Sequence, residues 1–174
     1  FLNYKEEVKP GRYIITPKSS NKQVIDKLKE GKQDPVKLTF NNIRLKSDLI
    51  KRIGPKFAFG TEQLEKALNS PEVAQKYGLD TNTIVSIFLP NTYDIYWTTS
   101  TEKFLDRMHS EYKRFWNDER LAKAKAINLT PAQVAILASI VEEEQARKVD
   151  ERPKVAGLYL NRLQANMPLQ ADPT

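Results

Sequence analysis

The segment from Thr130 to Glu144 constrains this chain more than any other. Thr130-Pro131-Ala132-Gln133 joins a favoured helix N-cap, a proline at the first helical position and a Gln three residues after the cap. Val134-Ala135-Ile136-Leu137-Ala138-Ser139-Ile140-Val141 comes next, and then Glu142, Glu143 and Glu144. The pattern predicts one helix, largely apolar along its length and ending in adjacent carboxylates.

Those carboxylates leave the helix in different directions. With Val134 set to zero and about 100° per residue, Ile136 falls at about 200°, Ile140 at about 240°, Leu137 at about 300° and Val141 at about 340°. On the same wheel Glu142 falls at about 80°, Glu143 at about 180° and Glu144 at about 280°. Only Glu144 therefore projects from the middle of the apolar arc. A carboxylate on an apolar face is costly unless it is neutral or paired. A Glu held protonated near neutral pH is what a general acid requires. The plainer alternative is an ion pair with Arg152 or Arg162.

Other chemistries have little to work with. The chain has no Cys, which removes disulfides, thiolate catalysis and Cys-based zinc sites, and its one His, His109, lies in a predicted amphipathic helix. No metal site or cofactor is expected. The formal charge is +6, from 28 Lys+Arg against 22 Asp+Glu, but the basic residues are scattered rather than clustered or interleaved with aromatics. A solvated surface is expected, and no nucleic acid partner. A hydrophobic fraction of 40% and a charged fraction of 29% suit a globular domain. No run approaches the roughly 20 apolar residues of a membrane span, and Phe1-Leu2-Asn3-Tyr4-Lys5 does not read as a signal peptide.

The fold class expected is α+β: a small N-terminal β-α-β-α module over residues 1–57 and a mainly helical domain over 58–174. Gly11–Thr16 reads as a strand between Pro10 and Pro17, Ser20-Asn21-Lys22-Gln23 as a capping box with Gly31 as the stop, and Val36–Phe40 as an alternating strand. Ser47 and Thr61 are expected to open helices, as is Pro71, whose helix stops at Gly78. Ile84–Trp97 reads as extended and aromatic. Thr101 is expected to cap a long helix with Phe104, Leu105, Met108, Tyr112, Phe115 and Trp116 on one face, a core stripe rather than a sugar-stacking platform.

Three blocks make the sequence recognisable. Ala138-Ser139-Ile140-Val141-Glu142-Glu143-Glu144, Glu151-Arg152-Pro153 with Val155-Ala156-Gly157-Leu158-Tyr159-Leu160-Asn161-Arg162-Leu163, and Met167-Pro168-Leu169-Gln170-Ala171-Asp172-Pro173-Thr174 resemble, in motif and spacing, the endolytic murein transglycosylases (the MltG, or YceG-like, family). Lys9-Pro10-Gly11-Arg12-Tyr13 and Phe88-Leu89-Pro90-Asn91-Thr92-Tyr93 are similar to further segments of that family. The resemblance implies that the N-terminal module is LysM-like and that the catalytic domain is incomplete here, the chain being truncated at both ends and weakly active or inactive by itself. It implies Glu144 as the catalytic residue, the one the wheel selects. Asn161, Arg162, Gln170 and Asp172 match motif positions and become candidates for lining the substrate groove. Gln145 stands where the family usually has Thr or Ser.

The activity so implied is cleavage of the MurNAc–GlcNAc bond of peptidoglycan strands without water, giving 1,6-anhydro-MurNAc ends, with Glu144 acting first as acid and then as base. Partners would be glycan strands and the wall-synthesis machinery. The location would be the bacterial cytoplasmic membrane, through an N-terminal anchor absent from this chain, with the catalytic part facing the wall. Two alternatives stay open: a hydrolytic muramidase using Asp172 or Glu151 as second carboxylate, and a non-catalytic peptidoglycan-binding module.

Overall fold

The computed structural model describes residues 9–39, 41, 43 and 45–171. The described elements run α1 (Asn21–Glu30), β1 (Val36–Thr39), α2 (Lys46–Ile53), α3 (Gly60–Asn69), α4 (Pro71–Lys76), β2 (Thr92–Ile95), α5 (Thr101–Phe115), α6 (Asp118–Ala126), α7 (Pro131–Glu144) and α8 (Arg152–Gln164). The class is α+β, mostly helical, with one two-stranded sheet. The chain divides within α5 into two compact units, residues 1–111 and 112–174.

In the first unit β1 and β2 pair antiparallel, Val36 opposite Ile95 and Leu38 opposite Tyr93. Alternation puts Leu38, Tyr93 and Ile95 in the core and leaves Lys37, Thr39, Thr92 and Asp94 exposed. The Thr39 and Thr92 hydroxyls share a hydrogen bond of 2.9 Å across the exposed face. Phe57 stacks on Phe59 with centroids 5.2 Å apart, and both rings meet Phe104 at 5.6 Å. Phe57, Phe59 and Phe104 therefore share one core.

The N-terminal module lacks its first expected strand. Residues 11–16 carry no regular pairing; instead the Ile14 amide donates to Asp34 Oδ2 (2.7 Å) and the Asp34 amide to the Arg12 carbonyl (2.8 Å). Lys27 Nζ reaches both Asp34 Oδ2 (2.6 Å) and the Ile14 carbonyl (3.0 Å), so side chains satisfy backbone groups that a strand partner would have taken. The described order is thus α1–β1–α2 after an extended segment. The Ser20–Gln23 capping box and the left-handed Gly31 stop form as expected.

Elsewhere the helix starts move by a residue. Ser100, not Thr101, caps α5, its hydroxyl accepting from the Lys103 amide at 3.3 Å. Neither Ser47 nor Thr61 caps, since α2 and α3 begin at Lys46 and Gly60 without a side-chain cap. Ser70 caps α4 ahead of Pro71. Ile84–Ile87 is a single 3-10 turn, so only Thr92–Ile95 of the extended stretch is strand.

The second unit has its own core, formed by Leu137 and Val141 of α7 with Tyr159 of α8, flanked by Leu129, Ile140, Val155, Ala156, Leu160, Leu169 and Ala171. Phe115 departs from the expected core stripe: it is 39% exposed, with the Arg120 guanidinium 4.2 Å from its ring. No single helix among the described residues is long and apolar enough to cross a membrane.

Candidate active site

α7 starts where its sequence says it should. Thr130 Oγ1 accepts from the Gln133 amide (3.2 Å), and Gln133 Oε1 accepts from the Thr130 amide (2.8 Å). This closed box with Pro131 at the first turn fixes the helix origin and hence the phase of every later side chain. The phase agrees with the wheel: Leu137 and Val141 are buried and Ile140 is partly so, while Ile136, on the edge of the arc, is 47% exposed.

Glu144 is the last residue of α7, three positions beyond Val141, the last buried one. It shares the direction of the core face but is exposed, as are Glu142 and Glu143. The expected apolar cover is thus not supplied by the described residues. Glu144 keeps the phase of the core face without being buried.

The turn after Glu144 is closely held. Gln145 Nε2 donates to Glu151 Oε2 (2.8 Å), Gln145 Oε1 accepts from the Lys148 amide (3.2 Å), and Lys148 Nζ lies 3.2 Å from Glu151 Oε1. Arg152, in the first turn of α8, donates from Nε to the Gln145 carbonyl at 3.0 Å. Its NH2 lies 3.9 Å from Glu142 Oε1, a longer and weaker contact. Gln145 therefore organises the connection between the helices. A sequence signal for this existed: α7 ends in three acids with no basic residue in its last turn, so a cation from elsewhere was called for.

The candidate groove residues divide. Arg162 NH1 donates to the carbonyls of Pro168 (3.2 Å) and Leu169 (2.9 Å) and to Gln170 Oε1 (2.7 Å). Arg162 and Gln170 are therefore brought together, as a clamp on the segment after α8. That segment turns at Asn166, with φ 52°, and again at Gln170, with φ 54°, both left-handed. Leu169 and Ala171 then return to the α7–α8 core. Asn161 is exposed on α8, and its carbonyl accepts from the Ala165 amide. Asp172 lies outside the described residues. Glu151, one of two candidates for a second carboxylate, has both oxygens engaged by Gln145 and Lys148.

The chain is also similar to known proteins. It is 35% identical over 83 residues to the endolytic murein transglycosylase of Streptococcus pneumoniae serotype 2, a match covering 48% of this chain and 15% of that relative. The endolytic murein transglycosylase of a second Streptococcus pneumoniae strain is 36% identical over 87 residues, with the same two coverages of 48% and 15%. The matched stretch is thus a small part of the length of these relatives. The pattern of the YceG-like family, by contrast, matches from residue 1 to residue 174, and this chain belongs to that family.

Proposed function

We propose that the protein carrying these residues is an endolytic lytic transglycosylase of peptidoglycan, with Glu144 as its acid and base. The observation that supports this most is the placing of Glu144: it ends α7, on the line of the core face, open to solvent, at the end of the Ala138–Glu144 block. Two curated relatives, each matched over 48% of this chain, are named endolytic murein transglycosylases.

The Glu144 carboxyl protonates the oxygen linking MurNAc C1 to GlcNAc. The C1–O bond breaks, GlcNAc leaves with the proton on its hydroxyl, and positive charge develops at C1 and the ring oxygen. The carboxylate then takes the proton of the MurNAc C6 hydroxyl, whose oxygen bonds to C1. A 1,6-anhydro ring results, Glu144 is again protonated, and no water is consumed. The nucleophile is part of the substrate, so proximity is supplied in advance. A glycan lying over α7 also covers the carboxyl, which the described protein residues leave exposed.

The remaining readings belong to the same proposal. Asn161, Arg162, Gln170 and Asp172 are assigned to the groove, with Arg162 and Gln170 shaping it through their clamp. The LysM-like assignment of residues 1–57, resting on the likeness around Lys9–Tyr13, adds a contact with glycan. The protein sits at the cytoplasmic membrane and acts on new strands beside the synthetic machinery. A hydrolytic muramidase with Glu151 as second carboxylate is disfavoured by the engagement of Glu151 with Gln145 and Lys148, which leaves Asp172 as the candidate for that role.

Incubating purified glycan strands with the full-length protein, with mass spectrometry of the new ends, tests the reaction. Anhydro-muramyl ends, one water lighter than hydrolytic ends, support it. Full-mass reducing ends identify a muramidase, and uncut strands that stay bound identify a binding module.

A further inference from the structure

We propose that Arg152 is a positioning residue for Glu144, holding the end of α7 through the Gln145 carbonyl. The proposal rests on the reading of Glu144 as the catalytic residue.

A helix C-terminus presents unsatisfied carbonyls and partial negative charge. α7 ends with Glu142, Glu143 and Glu144, has no Lys, Arg or His in its last turn, and stops without a glycine, at Gln145 with φ −128° and ψ 64°. Every local feature thus favours fraying of the turn that carries Glu144. The compensation comes from the start of the next helix. Arg152 Nε bonds the Gln145 carbonyl at 3.0 Å, while NH2 turns toward Glu142 at 3.9 Å. One planar fork thereby reaches the main chain just after Glu144 and a carboxylate two residues before it.

The intervening turn is braced from the other side. Gln145 spans from Glu151 Oε2 to the Lys148 amide. Since Glu151 immediately precedes Arg152, these bonds fix where the guanidinium starts from. The side chain of Arg152 is 30% exposed, so its bonds are partly shielded from water. Lys could supply the charge at this place but not two donors in a fixed plane. Through these contacts Arg152 acts on the reaction by the place it gives to Glu144.

The test uses the full-length protein and its Arg152→Ala and Arg152→Lys variants, with glycan strands as substrate. A misplaced catalytic group costs on the order of 10² in rate. Arg152→Ala is expected to lower kcat on that order with KM little changed, and Arg152→Lys to restore part of it. Independently of activity, hydrogen exchange of the amides of residues 142–148 should quicken in Arg152→Ala while that of the Leu137–Val141 turn holds. Unchanged kcat, a loss confined to KM, or unchanged exchange at 142–148 each overturns the proposal. If Arg152→Ala unfolds, the lysine variant decides: kcat equal to that of the unaltered protein overturns the proposal, and a lowered kcat with a folded core supports it. An unaltered protein that cuts no strands removes the reading of Glu144, and this proposal with it.

Discussion

Replacing Arg162 by Ala should release the segment after α8 while leaving the α7–α8 core in place. The NH1 nitrogen has two hydrogens to share among three acceptors, at 3.2, 2.9 and 2.7 Å. Hydrogen bonds from a charged donor contribute about 1.5–3 kcal/mol each when shielded. Pro168 and Gln170 are exposed, which roughly halves that figure and leaves about 2 kcal/mol for the clamp. Against it stands the left-handed conformation of Gln170, φ 54°, which costs a non-glycine residue about 1 kcal/mol and is relieved when the segment opens. The net loss is therefore about 1 kcal/mol. It should show as roughly fivefold faster exchange of the Met167 amide, which donates to the Arg162 carbonyl at 2.8 Å. Arg162→Lys, with the charge kept and the fork lost, should fall between. Hydrogen exchange read by mass spectrometry over residues 165–171, alongside urea unfolding, measures both quantities. Unaltered exchange there together with an unaltered unfolding midpoint would refute the clamp.

Thr130→Ala opens the capping box of α7 and should cost about 1 kcal/mol in urea unfolding, with Thr130→Asp close to neutral. Leu137→Ala removes one of three buried side chains from a small core and should cost about 2–4 kcal/mol by the same measurement. The Ile14 amide and the Lys27 ammonium hold the Asp34 carboxyl below its ordinary value of 3.8. A carboxyl depressed by folding contributes stability that is fully present above its unfolded value and lost as pH falls through the folded one. Acidification below 3.8 should therefore loosen the tie between residues 12–14 and 34, and the Ile14 amide NMR shift should titrate with its midpoint below that value.

What the sequence discloses depends on how far apart the interacting groups lie. The Ser20 and Thr130 boxes close within four residues, so they are legible in the string, and so is the left-handed Gly31. Ser100-Thr101 offers two hydroxyls in succession, and spacing alone does not say which one meets the Lys103 amide. The alternation at Val36–Thr39 reveals a strand but not its partner, whose Thr92 lies 53 residues beyond Thr39. The strand-forming residues of Gly11–Thr16 yield no strand, because Asp34 and Lys27 take up backbone groups there. For Glu144 the direction was readable, since the helix phase derives from Thr130. Its exposure was not, because burial depends on what packs over the helix end and not on phase. Arg162 and Gln170 were marked as motif residues, and their partnership across eight positions emerges only from the turn at Asn166.

The central claim is that of three adjacent glutamates only Glu144 performs the chemistry. Glu142→Gln, Glu143→Gln and Glu144→Gln, each made in the full-length protein and assayed for the release of anhydro-muramyl ends from purified strands, test it most directly. Loss of a general acid–base group costs about 10²–10⁴ in rate. The account predicts that loss for Glu144→Gln alone, with the other two variants near the unaltered rate. Full activity in Glu144→Gln, or the loss falling on Glu142→Gln or Glu143→Gln instead, would contradict it.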